Sequence, residues 1–424
     1  MRILVDQSGY DLLNLGDVAM LQGCVARLRQ QWPTAEIRVI AHAPERLRQY
    51  CPDTIAVQRT FADRRCLQVF PRKARFASEQ LWKIVGPPLV GRVSSHGDRR
   101  GSRGNQPRSA MQAVRWADVV VASGGGYLTD TWWWHGAGVL SVLGLAQSLG
   151  KPTAMFGQGV GPLRGRALRA MVSGILPRLA MLSLREEVTG LGLALSCGAQ
   201  RDVIRITGDD AIEVIPDAAS ANASALGFSL RAADYSGVDL QVAAVIGQCL
   251  GSAAHELGAP IVALPVSRYA ATSDLAAIAE CLGRWRAIID VGLADLSSPA
   301  ELASASGNCR AVVTGSYHAA VYALAQGVPA VCLTKSRYYD AKFAGLRALF
   351  PDACQVVSQI DHDLGRPLRH AILRAWELPA PARSAAREAA ARQRSAGRSA
   401  YEDFRRSVHS VREPVTPAML GQAQ

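Results

Sequence analysis

The residues best suited to chemistry in this chain stand close together as Thr314-Gly315-Ser316-Tyr317-His318, followed by Lys335, Arg337 and Lys342. A histidine that opens a helix feels the positive end of the helix dipole, which favours a neutral imidazole or a proton shared with a bound anion. The basic side chains that follow could supply fixed positive charge to the same place. Elsewhere, Arg185 and Arg231 each follow an apolar run, in Leu184-Arg185-Glu186 and Ser229-Leu230-Arg231. Guanidinium forks there could hold a carboxylate or a phosphate, or could simply pair with Glu186, Asp209 or Asp210.

Small residues mark other candidate sites. Asn14-Leu15-Gly16-Asp17 precedes a helical pattern, so Asn14 and Asp17 could cap backbone N–H groups or face a ligand. Ser123-Gly124-Gly125-Gly126 and Gly157-Gln158-Gly159-Val160-Gly161-Pro162 each follow a strand-like run, where glycine lets backbone N–H groups approach an anion or a sugar. Neither is a Walker loop or a dinucleotide fingerprint. Trp132, Trp133 and Trp134 could offer an apolar platform to sugar rings, with core packing as the alternative for at least one of them. The motifs call for no metal.

The elements that must carry these residues alternate strand and helix. Strands are expected over residues 3–6, 37–41, 119–122, 153–156, 181–184 and 204–207, then 226–230, 261–266, 288–291, 311–314, 330–333 and 355–357. Their Val/Ile/Leu-rich runs indicate parallel strands covered on both faces. Val18, Leu21, Val25, Leu28 and Trp32 follow the three-and-four spacing of a helix with one buried face. Small polar residues over 217–225 separate the two series, giving two doubly wound domains facing a cleft, with ligands at the carboxyl ends of the strands. The Ala- and Arg-rich stretch 383–411 is expected to form a solvent-exposed helix, ended by Pro414 and Pro417.

The chain has 424 residues, of which 49% are apolar and 19% charged, which suits a globular protein and excludes global disorder. Of its net charge of +12, most lies in residues 64–108, with eleven basic side chains against two acidic, and in 383–424, with eight against four. The remainder is close to neutral, so a basic groove through the fold, and with it nucleic-acid binding, is not indicated. Residues 91–109 read as a Gly/Ser/Arg-rich loop. Before it, Phe70, Phe76, Leu81, Trp82, Ile84 and Val85 sit among cations, a mixture suited to peripheral contact with anionic lipid or to a solvated insertion. The uncharged stretch 131–150 carries several glycines, His135 and Gln147 and reads as a buried helix with its loop rather than a membrane span. Nine scattered cysteines without Cys-x-x-Cys spacing, and an N-terminus that reads as a first strand, point to reduced thiols and a cytoplasmic protein, with room for contact at the inner face of the membrane.

The order of these motifs resembles the polysaccharide pyruvyl transferase family: Asn-x-Gly-Asp, Ser-Gly-Gly-Gly, Gly-Gln-Gly-Val-Gly-Pro, Arg-Glu, Gly-Asp-Asp-Ala, Ser-Leu-Arg, Gly-Ser-Tyr-His and the Lys342 region, over about residues 5–346. The resemblance implies a glycosyltransferase-B-like α/β fold. Residues 1–216 would form an acceptor-side Rossmann-like domain with a basic insertion at about 62–110. Residues 226–378 would form the donor-side domain, and 379–424 a C-terminal helix and tail. It also implies transfer of pyruvate from phosphoenolpyruvate to two hydroxyls of a cell-surface or lipid-linked sugar, with no cofactor required. His318 would be the acid or phosphate-proton donor and Asp17 the base or acceptor anchor. Asn14, Gly16, Gly124, Gly125, Gly126, Gln158, Gly159, Arg185, Arg231, Ser316, Lys335, Arg337 and Lys342 would bind substrates. Many members carry Arg two positions before the histidine where this chain has Ser316, so donor binding would lean on Arg231, with Lys335, Arg337 or Lys342 as substitutes. A nucleotide-sugar glycosyltransferase of the same fold and an inactive membrane-associated glycan-assembly protein are the competing readings.

Overall fold

The computed structural model describes residues 1–58, 109–217, 219–220, 222–231, 240–334, 336–359 and 363–412. Nearly all of the expected basic insertion lies outside them, as do Lys335, Cys66 and the end of the tail with Pro414 and Pro417.

Two parallel sheets form the frame. The first contains β1 (Arg2–Asp6), β2 (Glu36–Ile40), β3 (Ile55–Val57), β4 (Val119–Ala122), β5 (Gly125–Leu128), β6 (Thr153–Val160), β7 (Met181–Leu184) and β8 (Ile204–Ile206). Its order is β3-β2-β1-β4-β6-β7-β8, with β5 paired to β6. The second contains β9 (Ala225–Ser229), β10 (Ile261–Ala263), β11 (Val291–Gly292), β12 (Cys309–Thr314), β13 (Ala330–Thr334) and β14 (Cys354–Ser358), in the order β11-β10-β9-β12-β13-β14. Helices cover both faces, which is why Val119 to Val121 and Val312 to Val313 read as unbroken apolar runs. Each sheet reverses its winding direction between two neighbouring strands, β1 and β4 in one and β9 and β12 in the other. Such reversals open a crevice at the carboxyl ends, and the two crevices face each other.

The lobes are joined by short-range contacts as well as by chain. Helix α1 (Leu15–Gln31) begins where Leu15 N–H donates to the Val266 carbonyl at 2.9 Å and Arg268 N–H donates to the Leu13 carbonyl at 2.8 Å. One buried cluster contains Leu15, Ala19 and Met20 together with Tyr317, Ala320 and Val321 of helix α3 (Tyr317–Ala325). Helix α2 (Trp133–Ser148) is the buried helix expected over 131–150, and among the described residues no helix is long and apolar enough to cross a membrane. The eight cysteines among the described residues are free and buried.

The C-terminal helix differs from expectation. Helix α5 (Ala380–Arg412) is not solvent-exposed along its length: Ala386, Ala389 and Ala390 pack against the second lobe, and Ala400, Tyr401, Phe404 and Val408 enter the core of the first. At 1.5 Å per residue it reaches about 50 Å, enough to span both lobes. The Tyr401 ring stacks on Phe156 at 3.7 Å, and Tyr401 Oη donates to Asp210 at 3.2 Å. Asp210 also accepts from the buried Arg27 guanidinium at 2.6 Å.

Candidate functional site

An interdomain cavity of about 560 Å³ lies at the facing strand ends. Among the residues lining it are Asn14, Asp17, Gly126, Arg185, Arg231, Ser316, His318 and Lys342, so eight of the expected catalytic and substrate-binding residues meet at one place. Six of them arrive there because they follow a parallel strand: Asn14 and Asp17 beyond β1, Arg185 after β7, Arg231 after β9, and Ser316 and His318 after β12. Gly126 sits within β5, and Lys342 projects from helix α4 (Arg337–Leu349).

His318 occupies the first turn of α3 and packs against the first turn of α1. A Cβ on Gly16 would overlap its Cγ and Nδ1, so glycine is what lets this helix end close on the ring. Asn14 Oδ1 accepts from the N–H groups of Gly16 at 3.0 Å and Asp17 at 3.2 Å, so it caps α1 while also facing the cavity. Behind His318 lies Asp209, whose Oδ2 is 3.7 Å from His318 Nε2 and 2.9 Å from Arg185 Nε. Burial opposes charge on Asp209, but the Arg185 guanidinium and the His318 ring outweigh it and hold the carboxyl well below its usual range.

Arg185 is 3% exposed and donates from Nε to the Gly157 carbonyl at 2.9 Å, which fixes its fork at the cavity wall. Arg231 donates from Nη1 to Asp274 Oδ1 at 3.0 Å, and that carboxylate also accepts the N–H groups of Val266 and Ser267. Both arginines therefore pair with a buried carboxylate and line the cavity as well.

Lys342 Nζ stands among three rings, 4.3 Å from the centre of Tyr338, 5.7 Å from Tyr317 and 5.9 Å from Tyr339. Burial, then the Arg185 charge, push its ammonium down to about 7, with Asp17 and Asp209 opposing. A Cβ on Gly126 would come within 2.9 Å of Nζ, so glycine in β5 makes room for it.

Other predicted residues support this wall rather than form it. Gly16 lies behind the cavity, against His318, with its N–H committed to Asn14. Gly124 and Gly125 pack against Met20 and the Tyr127 ring, and Gly159 lies behind Gly125 and Gly126. Gln158 Nε2 lies within hydrogen-bonding reach of the carbonyls of Ser123 at 2.8 Å and Phe156 at 3.0 Å and of Tyr127 Oη at 2.9 Å, so its two N–H groups fix the glycine-rich segment from beneath. Arg337 is exposed at the start of α4 and is not among the lining residues, because α4 turns that position to solvent. Lys335 lies outside the described residues.

Sequence reasoning missed other parts of the wall, among them Tyr10, Asp11, His42, Tyr127, His135, Tyr269, Tyr338 and Tyr339. Tyr10 bridges His42 and His135, with ring centres 5.1 Å and 4.8 Å away. His42 follows β2 directly after Ala41, so the strand-end rule that found His318 would have found it too. Trp132 and Trp134 face the cavity with ring centres 5.5 Å apart, whereas Trp133 packs against the core of the first lobe. Among the described residues no group of three or more His, Cys, Asp or Glu is placed to hold a metal ion.

Comparison with known proteins gives both a family and a fold. The polysaccharide pyruvyl transferase family model matches residues 14–337. No curated protein matches the sequence. Among solved structures, an α,α-trehalose 6-phosphate synthase from Burkholderia multivorans superposes with a TM-score of 0.57 at 14% identity, covering 97% of this chain and 96% of that one. A putative UDP-N-acetylglucosamine 2-epimerase from Listeria monocytogenes gives 0.55 at 11% identity, covering 90% and 92%. The calicheamicin glycosyltransferase gives 0.51 at 13% identity, covering 97% and 99%. At these identities the likeness is one of architecture, the glycosyltransferase-B fold.

Proposed function

Since the chain belongs to the polysaccharide pyruvyl transferase family, we propose that it moves the pyruvyl group of phosphoenolpyruvate onto two hydroxyls of a cell-surface or lipid-linked sugar, forming a cyclic ketal and releasing phosphate. One observation carries this reading: Arg185, Arg231, Lys342 and His318 converge on a single interdomain cavity. A small donor that carries both a carboxylate and a phosphate needs fixed cations at both ends, and fixed arginines supply them without reorganising during the reaction.

The chemistry sets the proton inventory. One sugar hydroxyl adds to C2 of the enol ester while the C3 methylene takes a proton and becomes a methyl group. The bond from C2 to the phosphate oxygen then breaks, and the second hydroxyl closes the ketal ring. Each hydroxyl gives up one proton; one is balanced at C3 and the other leaves with the phosphate. His318 is the donor of a proton to C3 or to the departing phosphate, and Asp17 is the acceptor from a hydroxyl. Lys342, titrating near neutrality, neutralises the phosphate as its charge grows. The donor sits on the second lobe, where Arg185 reaches it from the first, and the sugar rests on the first, against Trp132 and Trp134.

The test uses the full chain. Phosphoenolpyruvate at a hundredfold its dissociation constant should stabilise the protein by about 2.7 kcal/mol, and phosphate should be released only when a suitable glycoside is added. Stabilisation by a uridine nucleotide with none by phosphoenolpyruvate would assign the cavity to a nucleotide sugar instead.

A further inference from the structure

Asp209 does not line the cavity, yet it touches two groups that do. Its Oδ1 accepts the Ala211 N–H at 2.9 Å, which fixes the carboxylate plane at the end of β8. Its Oδ2 and the Nε2 of His318 are both enclosed, neither makes a hydrogen bond of good geometry, and they face each other across 3.7 Å. Buried polar atoms are rarely left so, and catalytic hydrogen bonds commonly tighten as substrate is engaged.

We propose that Asp209 is a positioning residue for His318. Its Oδ2 accepts the Nε2–H, which fixes the imidazole in the Nε2–H tautomer and leaves Nδ1, lying against Gly16 in the first turn of α1, as the nitrogen that exchanges a proton with substrate. A neutral imidazole has one donor and one acceptor nitrogen, and the partner of one decides the role of the other. Arg185, 2.9 Å away on the same oxygen, keeps Asp209 ionised and therefore an acceptor. The same carboxylate thus neutralises the cation, whose fork the Gly157 carbonyl holds in place, and orients the imidazole that would move the proton. The substrate's identity rests on the pyruvyl-transfer reading; the tautomer does not.

The competing possibility is that Asp209 serves Arg185 alone. Full-length protein labelled with ¹⁵N-histidine separates the two, with the His318 signals assigned by their loss in His318→Gln. In the neutral ring, before Nδ1 takes up the proton that it later donates, the expected wild-type pattern is a protonated Nε2 and a bare Nδ1. Asp209→Asn keeps the shape but offers Nε2 an N–H, so the pattern should invert and turnover should fall about 10²-fold or more, with the KM for phosphoenolpyruvate changed far less. In a His318→Gln background the same substitution should cost almost nothing further, because its effect runs through the imidazole. A wild-type Nδ1–H tautomer, or an equal loss in both backgrounds, would overturn the proposal. The wild-type tautomer decides it alone should Asp209→Asn fail to fold, and it remains measurable even if phosphoenolpyruvate proves not to be the donor.

Discussion

The imidazole of His318 and the α-carbon of Gly16 are in van der Waals contact across the two lobes, with no room for a methyl group between them. This contact sets the distance between α1 and α3, and with it the position of Asp17 relative to His318. Gly16→Ala should therefore damage activity more than stability. Overpacking of this size costs about 1–3 kcal/mol, a change readable as a lowered denaturation midpoint. Turnover should fall at least tenfold, because misplacing a reacting group by about 1 Å can cost about 10²-fold. Full turnover in a folded Gly16→Ala protein would mean that His318 does not act from its observed position.

Lys342 makes donor binding depend on pH. In the unfolded chain its ammonium keeps its proton up to about the ordinary 10.5, whereas in the folded protein it loses it above about 7. Between those values the unfolded state binds more protons, so this residue contributes stability that grows as pH rises through the window. An anionic donor works the other way, because it favours the charged ammonium. Its affinity should weaken as pH rises from 7 to 9, approaching tenfold per unit if one proton is taken up on binding. Calorimetric titration in buffers of different ionisation enthalpy would count that proton. Lys342→Met should lose the slope, and a wild-type slope of zero would remove Lys342 from the donor site.

Arg231 has two duties that a single substitution confounds. Its partner Asp274 is fully buried, and burial pushes that carboxyl up while Arg231 and two backbone N–H groups hold it down. Arg231→Ala would strand this charge, at a cost of about 3–5 kcal/mol typical of breaking a buried pair. Pairing Arg231→Ala with Asp274→Asn should restore much of the stability but none of the donor affinity. Recovery of donor binding in the double variant would show that Arg231 acts only as a structural partner.

Much of this architecture was readable because parallel strands are buried on both faces and announce themselves as apolar runs. The exceptions have physical causes. β5 was hidden because Gly125 and Gly126 have no side chains to mark a strand, although Gly126 is there to admit Lys342. The strand expected over 288–291 begins only at Val291, and Ile288 is exposed, so two isoleucines gave a false signal in a turn. At the site, motifs contiguous in sequence could be found, since strand ends carry them. Tyr10 and His135 could not, because each contributes one ring from a separate segment, whereas His42 directly follows a strand-like run and Tyr338 and Tyr339 share α4 with Lys342. The second aspartate of Gly208-Asp209-Asp210 faces away from the cavity to Arg27 and Tyr401, a division of labour within one motif that spacing alone does not reveal.

The C-terminal helix was misread for a reason that leads to a test. Alanine and arginine give little hydrophobic contrast, so the buried stripe through Ala386, Ala390, Tyr401, Phe404 and Val408 does not stand out from the exposed face. Yet α5 packs against both cores, and its Tyr401 closes over the Arg27–Asp210 pair behind Gly157, whose carbonyl holds Arg185. Tyr401→Ala should cost about 3–5 kcal/mol, as for other buried aromatic truncations. Tyr401→Phe keeps the stacking on Phe156 and removes only the bond to Asp210, for a loss of about 1 kcal/mol. The informative quantity is the donor affinity of the alanine variant under conditions where it remains folded. If α5 fixes the wall through Asp210 and Gly157, affinity should fall along with stability, and the phenylalanine variant should retain both. An alanine variant that is destabilised but binds donor normally would confine α5 to holding the lobes together.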